Sequence, residues 1–131
     1  MSKLAAALAW AARGFPVFPL VPNGKEPAYD GSWYDMSTTD PETIKAYWTD
    51  SVLGVERDYN IGVDCTDRIV IDLDMKDGKN GVADYAALGG TYDTLVVRTP
   101  SGGYHLYYEG PDSGNAPLSP SIDVRSHHGY V

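Results

Sequence analysis

The spacing of apolar residues changes several times along the chain, and each change predicts an element. Up to Gly14 the spacing is helical, with Leu4, Ala5, Leu8, Ala9 and Ala12 on one stripe. Ser2 is placed to cap this helix and Gly14 to stop it. "FPVFPLV" (Phe15–Val21) reads as a strand whose prolines make it short or put it near an edge. "PNGKEPAYDGSW" is a loop by its Gly, Pro and Asn content. "TDPETIKAYW" begins a second helix, opened by a Thr39–Glu42 capping box or by Asp40 ahead of Pro41, with Ile44 and Trp48 buried. "NIGVD" and "RIVIDLD" are consecutive strands joined by a turn around Cys65–Asp67, and "GVADYAALGG" is a short helix closed by glycines. "TLVVRT" and "YHLYYE" flank "PSGG" as a hairpin, and "SIDVR" and "GYV" predict two more strands. Early helices followed by hairpin-paired strands predict an α+β class with a mostly antiparallel sheet in the second half.

A chain of 131 residues, 43% hydrophobic and 21% charged, is long enough to bury a core and argues against general disorder. The single cysteine, Cys65, excludes an internal disulfide framework and a Cys-rich zinc site, and is expected to be a packed thiol. "MSKLAAALAWAARG" has too short an apolar run to span a bilayer and is expected to be a helix of the fold rather than a leader. Eighteen acids against ten bases leave a net charge of −8, which opposes tight, nonspecific binding to duplex nucleic acid.

Strand alternation concentrates the chemistry on one face. In "RIVIDLDMKDG" (Arg68–Gly78), Ile69, Ile71 and Leu73 share one side, and Asp72 and Asp74 share the other. Two carboxylates that close repel unless a cation lies between them. In "YHLYYE", His105 and Tyr107 oppose Tyr104, Leu106 and Tyr108; in "SIDVR", Asp123 and Arg125 oppose Ile122 and Val124. If these strands are neighbours, three carboxylates, an imidazole and a guanidinium meet on one surface. Hard oxygen donors in threes suit Mg²⁺ or Mn²⁺, and the basic pair suits phosphate oxygens. An EF-hand is excluded, because Lys76 and Asp77 stand where its acidic or amide residue and its glycine are required, and a strand precedes the loop. Taken singly, the D-x-D reads as a solvated strand end, "PSGG" as a tight turn, and His127–His128 as solvated residues beside Gly129.

The conjunction of motifs resembles the primase-polymerase domain of the archaeo-eukaryotic primase superfamily, as carried by phage and plasmid replication proteins. The carrying residues are "VIDLD", "RTPSGGYH" and "IDVRSHHGYV", together with the opening "ALAWAARGFPVFPLVPNGKEP" and "YNIGV". The resemblance implies a small amino-terminal α/β unit (1–58) packed on an RRM-like, mostly antiparallel sheet (59–131) carrying the three motifs. It further implies template-directed nucleotidyl transfer from nucleoside triphosphates to a primer on a single-stranded DNA template. Asp72, Asp74 and Asp123 would hold two divalent ions, Mg²⁺ or Mn²⁺. His105 and Ser101, Gly102 and Gly103 would bind the triphosphate, Arg125 would add a guanidinium, and Lys25 would contact nucleotide or strand. Family members continue past "GYV", so the chain is expected to be the catalytic core of a longer parent, one carrying a helicase region. The expected setting is the cytoplasm, of a host cell if the protein is phage-encoded, with no membrane partner. Three rival classes stand beside this one. A glycosyltransferase needs a doubly wound nucleotide-binding half that the sequence lacks. A nuclease on the same carboxylates and a noncatalytic nucleotide- or strand-binding module stay open.

Overall fold

A computed structural model describes residues 2–66, 68–109, 115–126 and 129–131. The chain divides into two compact units, Met1–Asp64 and Cys65–Val131. The boundary expected at 58–59 therefore falls later, because the "NIGV" strand pairs with the first strand rather than joining the larger sheet. Asp67 and the pair His127–His128 lie outside the described residues.

In the first unit, α1 (Lys3–Ala12) starts at Ser2, whose Oγ accepts the Ala5 N–H, and ends before Gly14 at φ +87°. Its buried residues are Ala7 and Ala11, while Ala5, Ala9 and Ala12 are exposed. The expected stripe is thus rotated. Alanines are too alike in hydrophobicity for spacing alone to choose a face. Strand β1 (Val17–Leu20) is buried throughout and pairs antiparallel with β2 (Asn60–Val63) in a two-stranded sheet, so Pro19 removes no hydrogen bond from a central strand. Gly62 faces Phe18, whose ring would lie 2.5 Å from any Cβ there. The loop after β1 contains an unexpected one-turn helix, α2 (Trp33–Met36), whose Trp33 stacks on Phe18. Helix α3 (Pro41–Tyr47) is capped by Asp40, whose Oδ2 accepts the Thr43 N–H, which selects the Asp40–Pro41 alternative. Ile44 and Trp48 are fully buried, and Trp48 Nε1 donates to the Tyr59 carbonyl.

The second unit is built on a five-stranded antiparallel sheet. Its strands are β3 (Arg68–Leu73), β4 (Leu95–Arg98), β5 (Tyr104–Glu109), β6 (Ala116–Ser119) and β7 (Ile122–Arg125), in the order β4-β5-β3-β7-β6. The class is α+β. The strand β6 was not expected from the sequence, where Pro117 interrupts any strand pattern; it occupies the sheet edge, where a proline is tolerated, and its register shifts between Pro117 and Ser119. The "GYV" segment forms no strand; Tyr130 carries only an isolated bridge. Among the described residues no helix is long and apolar enough to cross a membrane.

Helix α4 (Gly81–Ala87), capped by Asn80, covers one face of the sheet. Tyr85 packs there with Leu73, Leu106 and Ile122, flanked by Ile71, Val82, Tyr104 and Tyr108. These are the apolar alternation positions of three adjacent strands. Cys65 is fully buried, as a packed thiol should be. The Tyr85 hydroxyl donates to the Thr91 carbonyl and meets the Tyr108 hydroxyl. Burial, and then the Tyr108 contact, push its pKa up to about 12. The folded protein therefore holds this proton beyond the point where the unfolded chain releases it. Its contribution is present below the ordinary tyrosine pKa near 10 and is lost as pH rises through 12. Tyr85→Phe should lower stability by about 1 kcal/mol at neutral pH and reduce the loss of stability between about pH 10 and 12. Urea denaturation across that range measures both.

Candidate nucleotide and metal site

The site forms where the polar face of the central strand ends. Asp72 is paired across β3–β5 with His105 and across β3–β7 with Asp123. The same rung continues to Val97 on β4 and Pro117 on β6. Residues opposite each other in a sheet point to the same side, so Asp72, His105 and Asp123 stand in a row on one face. Arg125 shares that face opposite Val70, as alternation from Asp123 requires. The residues of this face below the rung, Val70 and Tyr107, are buried. Burial, then Cys65 and Asp72, raise the Tyr107 hydroxyl pKa well above its usual value. Past Asp72 the face is therefore buried on β3 and β5 but exposed and charged on β7, at Arg125.

Asp74 lies one residue past β3, and its backbone is held from two sides. Its N–H donates to the Ser121 carbonyl and its carbonyl accepts the Gly81 N–H, both at 2.8 Å. Asp72, Asp74 and Asp123 line one open cleft of about 410 Å³, joined by Arg125, Lys79, Asn115 and Ser121. Each carboxylate has a basic partner in the sheet or its loops. His105 Nε2 is 3.4 Å from Asp72, Arg125 Nη2 is 2.8 Å from Asp123, and Lys79 Nζ is 3.3 Å from Asp74. Asp74 also accepts the Lys76 N–H, which, followed by the Lys79 contact, holds its carboxyl below the usual carboxylate range. Asp123 Oδ1 accepts the neighbouring Val124 N–H.

Among the described residues, no group of three or more His, Cys, Asp or Glu side chains is placed to hold a metal ion. The donor chemistry nevertheless suits a hard cation. Asp72 and Asp123 are like charges directly opposed on neighbouring strands, an unfavourable pair that a divalent ion would relieve. Mg²⁺ binds through one or two carboxylates plus substrate phosphates, so this pair meets its protein requirement without Asp74.

The "PSGG" loop closes the β4–β5 hairpin over the end of β3. Gly103 lies so close that a Cβ would be 2.4 Å from the Leu73 carbonyl oxygen. The Gly102 N–H donates to the Thr99 carbonyl and the Gly103 N–H to Thr99 Oγ1. Both glycine amides are therefore used within the loop, while Ser101 is exposed and its hydroxyl meets Thr99 Oγ1 at 3.3 Å. Lys25 stands in the turn after β1, in the first unit, and is not among the residues that the five-stranded sheet gathers. Lys79, Asn115 and Ser121 were not singled out from the sequence. Lys79 and Asn115 lie in stretches without strand or helix period, and Ser121 stands at the start of the predicted "SIDVR" strand, where alternation does not show that its carbonyl holds Asp74.

A family model describing the N-terminal domain of bifunctional DNA primase/polymerases (Prim-Pol) matches residues 7–131. A search of curated proteins finds no match.

Proposed function

We propose, from the premise that the chain belongs to the bifunctional DNA primase/polymerase family, that it transfers nucleotides from (deoxy)nucleoside triphosphates to a primer 3′ hydroxyl on a single-stranded DNA template. The observation that carries this reading is the rung of Asp72 between His105 and Asp123, whose two carboxylates line a cleft together with Asp74 and Arg125. Asp72 and Asp123, with Asp74, would hold the divalent ions, Mg²⁺ or Mn²⁺. When bound, such ions supply Lewis acidity at the primer hydroxyl and neutralise charge on the leaving diphosphate. The chain's own part is to orient the triphosphate. Arg125 offers a planar guanidinium to phosphate oxygens, and His105 and the Ser101 hydroxyl offer further donors. Gly102 and Gly103 serve by shape, since their amides are spoken for within the loop. Lys25 would contact nucleotide or strand.

The finer family arrangement, an archaeo-eukaryotic primase core with an RRM-like sheet, belongs to the same proposal. So do a phage or plasmid replication setting, a host-cytoplasm location and a helicase region in a longer parent. The antiparallel sheet with one helix-covered face and one polar face supports the arrangement.

Thermal melting with Mn²⁺ and a nucleotide tests the reading. Mn²⁺ should raise the melting temperature and a deoxynucleoside triphosphate should raise it further, because each binds only the folded state. His105→Ala should weaken nucleotide binding by roughly 10- to 100-fold, the value of a charge-assisted hydrogen bond. Mn²⁺ binding to the free protein should stay near wild type, since a hard cation satisfied by carboxylates gains little from imidazole. A large loss of Mn²⁺ affinity would make His105 a ligand and overturn its assignment to the triphosphate.

A further inference from the structure

Asp74 differs from the other two carboxylates in what holds it. Its backbone is pinned by Ser121 and Gly81, and Gly81 packs so tightly that a Cβ would meet the Asp74 nitrogen at 2.7 Å and the Ser121 oxygen at 2.8 Å. The remaining freedom is in the side chain, and the β3–α4 loop takes it up. Positive φ at Asp77 (+55°) and Gly78 (+77°), with Lys79 N–H donating to the Lys76 carbonyl, folds the loop back on itself. This return brings the Lys79 ammonium to Asp74 Oδ2 while the Lys76 N–H occupies Oδ1. Both carboxylate oxygens are thus engaged by the protein's own loop, inside the cleft shared with Asp72 and Asp123.

We infer that Lys79 is a positioning residue whose ammonium holds the Asp74 carboxylate in the metal-free protein and competes with a divalent cation for it. The inference rests on the reading that Asp74 is a cation ligand. The pair is suited to exchange: the Lys79 side chain is 41% exposed, and ion pairs of that kind are weak. A weak pair can orient a carboxylate and still yield to a double charge. It also leaves the cleft less negative before the cation arrives, with each acid carrying a basic neighbour.

The consequence is that removing a cation from the site should strengthen cation binding. Titrating Mn²⁺ without nucleotide, by calorimetry, into wild type, Lys79→Gln, Lys76→Gln and each combined with Asp74→Asn tests this. Lys79→Gln should bind Mn²⁺ tighter by roughly two- to fivefold, the range of an exposed ion pair. Lys76→Gln, which removes a nearby charge without a side-chain bond to Asp74, should give a smaller gain. The Lys79→Gln gain should vanish in the Asp74→Asn background. Equal gains from both lysines would reduce the effect to general electrostatics and overturn the inference. If Asp74→Asn weakens Mn²⁺ binding but Lys79→Gln changes nothing, the inference alone fails. If Asp74→Asn leaves binding unaltered, Asp74 is not a ligand and the inference falls with its premise, while Asp72 and Asp123 stand.

Discussion

Asp72→Asn is expected to abolish primer extension while leaving the fold intact or slightly firmer. Asp72 is the central member of the polar rung, opposite Asp123 on one side and His105 on the other. Asparagine keeps its shape and one acceptor oxygen but loses the charge that would hold a divalent ion. Removing a single preorganised electrostatic group from an active site typically costs about 10²–10³ in rate, and a metal ligand should sit at or beyond the upper end. Stability should move the other way. Relieving like charges directly opposed across two strands is worth up to about 1 kcal/mol. The Asp72 side chain is 37% exposed, and the asparagine oxygen can still accept from His105, its largely buried partner 3.4 Å away. Asp123→Asn should lose activity similarly, without the stability gain, because its 2.8 Å pair with Arg125 is lost as well. Extension rates read alongside urea denaturation check both signs. Wild-type rates in either variant would remove these carboxylates from the chemistry.

The second large effect is expected at the hairpin loop. Gly103→Ala forces a methyl group against the Leu73 carbonyl, a backbone atom that cannot swing aside. Overpacking of this kind costs about 1–3 kcal/mol, and here it must be relieved by lifting the loop from the end of β3. Thr99 then loses the Gly103 N–H, and His105, two residues on, shifts relative to Asp72. Gly102→Ala makes a clean comparison: φ is +87° and nothing lies within 4 Å of its Cβ. Its cost should be only that of a left-handed residue, roughly 1–2 kcal/mol. Thermal melts should therefore rank Gly103→Ala below Gly102→Ala, and nucleotide affinity should fall more in Gly103→Ala. The reverse order would mean that the close approach to Leu73 does not set the loop.

The face assignments were legible because strands have a period of two. Once "RIVIDLD" is a strand, Asp72 must oppose Ile71 and Leu73, and the same rule places His105 with Tyr107 and Asp123 with Arg125. Register was not legible. No local pattern says that Asp72 is opposite both His105 and Asp123, since this depends on hairpin geometry and on the order β5-β3-β7. The edge strand β6 escaped notice because Pro117 masks strand pattern, and an edge tolerates what a centre does not. Lys79 escaped because a loop that returns on itself through Asp77 and Gly78 has no period to read. The face of α1 was misplaced for a different reason: a helix of near-identical alanines is oriented by its neighbours, not by its own contrast.

Primer length is the most direct test of the central claim, that this end of the sheet performs nucleotidyl transfer. A labelled primer annealed to a longer template is incubated with the chain, Mn²⁺ and all four deoxynucleoside triphosphates, and the product length is read on a denaturing gel. The expected product is a primer that grows to the template end, only with the divalent ion, and not with Asp72→Asn. Shortening of the primer would make the same carboxylates those of a nuclease, and an unchanged primer under conditions where Mn²⁺ and nucleotide bind would leave a binding module; either result contradicts that claim.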